Sequence, residues 1–85
     1  MKHINNFMYT PTEIQLANEI AERLNDPDAL SLYLSYTRLY PHEKLRELLN
    51  KVCSIPDKDI KRTRGALFTF LVGQYKKYNY GYSRN

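Results

Sequence analysis

Between residues 60 and 65 the chain reads IKRTRG, directly ahead of the apolar run ALFTFLV. Lys61, Arg62 and Arg64, the Thr63 hydroxyl and a glycine without a side chain are the groups that bind an anion at the first turn of a helix. That turn also presents unpaired backbone N–H groups and partial positive charge. Cations at this end oppose the helix dipole, which makes their clustering here notable; the alternative to an anion site is that they simply sit in water. The P-loop spacing and its leading strand are absent. A second basic stretch, QYKKYNYGYSRN, follows the apolar run and mixes Tyr75, Tyr78, Tyr80 and Tyr82 with Lys76, Lys77 and Arg84. Aromatic rings offer stacking faces to unpaired bases and cations follow the phosphate backbone, a combination used by single-strand binders. The same sequence is open to a second reading, in which Tyr75 and Tyr78 complete a core and the end of the chain frays. It contains no RNP motif, zinc-finger spacing or basic zipper.

Charge divides the chain in two. Residues 1–55 carry six cations and seven acids, a net of −1, whereas residues 56–85 carry seven cations and two acids, a net of +5. All of the net basicity lies in the last third, which points to a polyanionic partner, solubility being the alternative reason for a mildly basic domain. Other classes are disfavoured. One cysteine, Cys53, forms no intramolecular disulfide, and with His3 and His42 it makes no zinc-ligand pattern. Cys53 follows Val52 on an apolar face, where a small buried hydrophobe is the expected role. His42, beside Glu43 in a first turn, reads as a surface residue, without the partners a general base needs. No carboxylate pair or nucleophile–base pair marks an enzyme. The N-terminal MKHINNFMYTP lacks a signal-peptide core, and no run reaches the roughly 20 apolar residues of a membrane span. The expected setting is cytoplasmic.

The elements that must position these groups are helical. YTPTEI supplies Thr10 as N-cap, Pro11 at the first position, Glu13 to close a capping box, and Tyr9 with Ile14 as a hydrophobic staple. A helix is predicted from Pro11 to Leu24, with Ala17, Ile20, Ala21 and Leu24 on its apolar face. NDPDAL predicts a second start, with Asp26 capping and Pro27 in the first turn. Apolar residues then form two adjoining stripes: Leu30, Tyr33, Leu34 with Thr37, and Ala29, Leu32, Tyr36 with Leu39 and Tyr40. So wide a face reads as a central helix covered on two sides, an exposed binding face being the alternative. Pro41 ends this helix and opens a third, with Leu45, Leu48, Leu49 and Val52 in one stripe and a stop before Pro56. SIPDKDIKR is a connector with Ile55 and Ile60 turned inward and one short helical turn. A last helix follows, capped by Thr63, apolar around most of its circumference and so expected to pack deep. Gly65 in its first turn costs about 0.5–1 kcal/mol relative to alanine, which implies close approach by a neighbouring helix or a ligand.

With 85 residues there is one domain and one core. The expected architecture is an all-α irregular or orthogonal bundle of four short helices, with residues 1–9 as an arm and 79–85 as a tail. Leu34, Leu48, Leu49, Phe68, Leu71 and Val72 are its predicted core. IKRTRGALFTFL is similar, over a dozen residues and without a diagnostic motif, to helical segments near the C-termini of some phage and plasmid replication proteins; no family follows from so short a match. The expected function is a non-enzymatic accessory module that binds DNA or RNA without a cofactor, a metal or a small-molecule substrate. Its expected contacts are Lys58, Lys61, Arg62, Thr63, Arg64, Gly65, Lys76, Lys77, Tyr78, Tyr80 and Arg84. In this reading the last helix is an anchor that does not itself touch the partner, and Arg62, Arg64, Lys76 and Lys77 are solvent-exposed on flanks held ~15–20 Å apart. The alternative is an adaptor that docks on a larger protein through exposed tyrosines and leucines.

Overall fold

The computed structural model describes residues 9–81. Four helices follow one another: α1 Pro11–Arg23, α2 Leu30–Leu39, α3 His42–Cys53 and α4 Arg64–Lys76. One 3-10 turn, Pro27–Ala29, precedes α2, another, Asp57–Asp59, lies in the connector to α4, and a π turn, Lys77–Gly81, closes the described chain. There is no strand among the described residues. The principal extents are 38 × 37 × 20 Å, and 20 Å is the thickness of two helices with their side chains. α1 packs along α2 and α3 along α4.

α1 begins as its sequence dictates. Thr10 accepts from the Glu13 amide at 3.1 Å, and Glu13 accepts from the Thr10 amide at 2.8 Å. The same carboxylate receives Arg38 of α2 through Nε and Nη2, at 3.1 and 3.0 Å, and the Arg38 guanidinium lies 4.7 Å from the centre of the Tyr9 ring. Glu13 thus closes the cap and ties α1 to the end of α2. Its carboxyl is held below its ordinary value of 4.5, first by the Arg38 hydrogen bond and then by the Thr10 amide. A depressed folded value means that this contribution is present above the unfolded value and is lost as pH falls through the folded one. The gap in thermal midpoint between wild type and Glu13→Gln is therefore expected to be widest near neutrality and to shrink as pH falls below the ordinary carboxyl value and through the depressed folded one. A gap unchanged down to pH 2 would remove Glu13 from the account.

α1 ends in a Schellman turn. Asn25 takes φ 55°, its amide donates to Glu22, and the Asp26 amide donates to the Ala21 carbonyl. Asparagine tolerates this left-handed position better than a branched residue would. The turn changes the task of Asp26. Its side chain caps no helix; instead it accepts a 2.8 Å hydrogen bond from the Tyr33 hydroxyl. The capping role read from NDPDAL is corrected accordingly. α2 starts only at Leu30, after the 3-10 turn.

The core collects Leu16, Ala17, Ile20, Ala21 and Leu24 from α1 and its cap, Tyr33, Thr37 and Tyr40 from α2 and its cap, all four apolar positions of α3, and Phe68 and Val72 from α4. Leu48, Leu49, Phe68 and Val72 are buried as predicted, whereas Leu34 and Leu71 are half-buried at its edge. Cys53, Ile55 and Ile60 are also half-buried, with Cys53 packed against the core. The second stripe of α2 goes inside only in part: Tyr40 is buried, and Ala29 and Tyr36 are half-buried against the core. Leu32 and Leu39 are exposed, the latter by 62%, because two helix layers leave part of α2 uncovered. His42 is half-buried rather than on the surface: its Nε2–H donates to the Thr37 carbonyl at 2.8 Å, satisfying one of the orphan acceptors at the end of α2.

α2 and α4 meet through long aromatic side chains. Tyr33 and Phe68 stand edge to face with centroids 5.7 Å apart, and Tyr36 lies 6.2 Å from each. The series continues through Tyr40, which is 5.8 Å from Tyr36 and 6.0 Å from Tyr75. Tyr80 on the π turn closes it, 5.8 Å from both Tyr40 and Tyr75. Tilted and edge-to-face pairs are the arrangements that ring quadrupoles favour. Tyr75 and Tyr80 are thus tied to the domain, Tyr75 also lying 5.4 Å beneath Lys44 of α3.

Candidate nucleic-acid interface

The groups expected to meet a polyanion separate into those the fold consumes and those it leaves outside. Thr63 caps α4, its hydroxyl accepting from the Ala66 amide at 3.0 Å. Arg64 departs from the expectation of solvent exposure. Nη1 donates to the Val52 carbonyl at 2.7 Å and Nη2 pairs with Asp57, leaving the side chain 21% accessible. It thereby gives the Val52 carbonyl at the C-terminus of α3 a second donor beside the Ile55 amide, where a cation also complements the dipole, and fixes where α4 begins.

Gly65 is buried, and the close approach it permits is made from within the protein. A Cβ at this position would stand 2.5 Å from Asp26 Oδ2 and 3.2 Å from the Tyr33 hydroxyl. A carboxylate therefore fills the space beside the first turn of α4, on the side where a phosphate would have approached Gly65. Burial first, and then the Asp26 hydrogen bond, push the Tyr33 phenol far above its ordinary range, so it stays a donor.

Lys58, Lys61 and Arg62 remain exposed in the connector, and Lys76, Lys77 and Tyr78 are exposed at the far end of α4. Tyr80 is 47% exposed in spite of its ring contacts. Arg84 and Tyr82 lie outside the described residues. α4 has thirteen residues, so about 20 Å of helix separates the two cationic ends. The helix is not the enclosed anchor expected from ALFTFLV. Gly65, Phe68 and Val72 face inward, but Thr69, Phe70 and Gly73 face out, Phe70 by 58%. The two inward side chains are flanked by half-buried Leu67, Leu71 and Tyr75, and one partner layer covers no more than this.

Each end of α4 carries an apolar recess beside its cations. At the N-terminal end a recess of about 270 Å³ is lined by Ile60, Ala66, Leu67 and Phe70, with Asp59, Lys61, Arg62 and Thr63 around it. At the C-terminal end one of about 300 Å³ is formed by Leu39, Tyr40, Lys76 and Tyr80. Sequence reading singles out neither Leu39 nor Phe70: Phe70 lies in the run expected to pack deep, and Leu39 in a stripe that reads as core or, alternatively, as an exposed binding face. Their period matches that of buried neighbours, so only the thickness of the fold distinguishes them.

Among the described residues no group of three His, Cys, Asp or Glu is placed to hold a metal, and no helix is long and apolar enough to cross a membrane. The class defined by fold and site is a small all-helical domain whose closing helix is cationic at both ends. No protein-family model, curated protein or solved structure matches the chain.

Proposed function

We propose that the protein is a non-enzymatic accessory module that binds nucleic acid along the outer side of α4, with Lys58, Lys61 and Arg62 at one end and Lys76 and Lys77 at the other. The observation that supports this is where the cations find partners. In the front of the domain Arg23, Arg38, Lys44 and Arg46 are paired with carboxylates and Lys51 is left over. In the basic third Arg64 is paired with Asp57, while Lys58, Lys61, Arg62 and Lys76 make no ion pair among the described residues. Charge left uncompensated at Lys58, Lys61 and Arg62 and, ~20 Å away, at Lys76 suits an extended polyanion that spans several nucleotides. A second copy suits it poorly, since antiparallel pairing of α4 with itself would set cations against cations.

Oligonucleotide affinity measured by fluorescence anisotropy between 50 and 200 mM salt tests the reading. Binding should weaken steeply with salt, each phosphate contact adding about 0.7 to 0.9 to the log–log slope. Lys61→Ala with Arg62→Ala should lower that slope by about 1.4–1.8, as should Lys76→Ala with Lys77→Ala, with the thermal midpoint nearly unchanged because these side chains are exposed. If the wild type has no measurable affinity for single- or double-stranded DNA or RNA at low salt, the reading fails. The adaptor reading then takes its place, since exposed Leu39 and Phe70 are also the kind of apolar surface on which a partner protein docks.

A further inference from the structure

Resting on the nucleic-acid reading, we infer that the ligand is single-stranded, with one unpaired base seated in each of the two recesses at the ends of α4. Two features of this surface belong together. Both cationic stations have apolar, open side chains beside them: Phe70 next to Lys61 and Arg62, and Leu39 and Tyr80 next to Lys76, with the buried Tyr40 ring behind them. A duplex offers phosphates on its outside and keeps the faces of its bases stacked, so it would meet the cations and leave Phe70 and Leu39 facing sugar and water. A single strand presents both at once, phosphate to the cation and the apolar face of a base to the ring beside it.

Size and charge agree with this occupant. Recesses of about 270 and 300 Å³ lie at or below the small end of ligand pockets, room for one planar base rather than for an elaborate metabolite. Asp59 borders the first recess, and its carboxylate repels a phosphate there while accepting from the edge of a base, so the phosphate is directed outward to Lys61 and Arg62. At the second recess Tyr80 is held by edge contact with Tyr75 and a tilted contact with Tyr40, which positions its ring before a ligand arrives. Gly73 faces out on the helix between the two stations, and nothing lies within 4 Å of where its Cβ would be, so the backbone of α4 is open to close approach along the path.

The test compares labelled 15-nucleotide single strands, DNA and RNA, with duplexes of the same sequence, all with the full chain at one salt concentration. Single strands should bind at least tenfold more tightly. Phe70→Ala and Tyr80→Ala should each weaken single-strand binding by about fivefold or more and leave the salt slope unchanged, because a stacking contact is lost and no phosphate contact is. 2-Aminopurine within the strand should be quenched on binding, and less so with either variant; circular dichroism of each variant establishes that the fold is retained. Equal affinity for strand and duplex, or variants that leave single-strand affinity intact while the lysine and arginine variants still weaken it, overturns this inference and leaves the proposed function standing. No binding of any oligonucleotide overturns both.

Discussion

Replacing Phe68 with alanine is expected to destabilise the domain by about 3–5 kcal/mol, the range for removing a fully buried aromatic side chain when the cavity collapses only in part. Phe68 has no exposed surface and is in edge or tilted contact with Tyr33 and Tyr36. It is where α4 meets α2, two helices that touch through aromatic side chains rather than through close backbones, so neighbouring backbone has little means of filling the space. An 85-residue domain has a total stability of roughly 4–13 kcal/mol, which makes this one substitution sufficient to unfold a large fraction of the molecules at the lower end. Leu71→Ala should cost less, because Leu71 is half-buried at the edge of the core. Urea denaturation of both variants checks the order. A loss below about 1 kcal/mol at Phe68, or a larger loss at Leu71, would mean that α4 does not close the core as described.

The second large effect is expected from the smallest residue in the contact between α4 and the Schellman turn. Gly65→Ala adds helix propensity worth about 0.5–1 kcal/mol. The new methyl meets Asp26 Oδ2 at 2.5 Å, and that carboxylate is pinned by the Tyr33 hydroxyl, so it cannot swing away without breaking the hydrogen bond. Leaving a buried hydroxyl without its acceptor costs about 1–3 kcal/mol, more than the propensity returns, and Gly65→Ala should be destabilising by about 1–2 kcal/mol. The sign should change with the background. Once Asp26→Ala has removed the carboxylate, the remaining tight contact is the Tyr33 hydroxyl at 3.2 Å, and Gly65→Ala should be neutral or slightly stabilising. A double-mutant cycle on the thermal or urea midpoint reads the coupling directly. Additivity within about 0.3 kcal/mol would show that the glycine is there for some reason other than room for Asp26.

Much of the helical frame was legible from local chemistry. The capping box at Thr10 and Glu13, the Thr63 cap, the breaks at Pro41 and Pro56 and the apolar stripe of α3 are each decided within a few residues, and each stands in the structure as it reads in the chain. The end of α1 was less legible. Asn25 and Asp26 precede a proline and look like a helix start, but the asparagine is the left-handed residue that ends α1, and its turn carries Asp26 to Tyr33.

Charge asymmetry, too, belongs to the sequence alone: the +5 of residues 56–85 is present in any conformation. Which of those charges reaches solvent is decided by tertiary structure. Arg64 follows two other basic residues in IKRTRG, yet the end of α3 draws it in, because the Val52 carbonyl accepts a charged donor at the negative end of the helix dipole and Asp57 lies within reach. Gly65 is next to it, and only the path of the chain at Asp26 shows that its missing side chain makes room for a carboxylate. Phe70 and Leu39 have the same hydropathy as their buried neighbours Phe68 and Leu45. What separates inside from outside is the number of layers, since a domain 20 Å thick covers each helix on one side and leaves apolar residues on the other side in water.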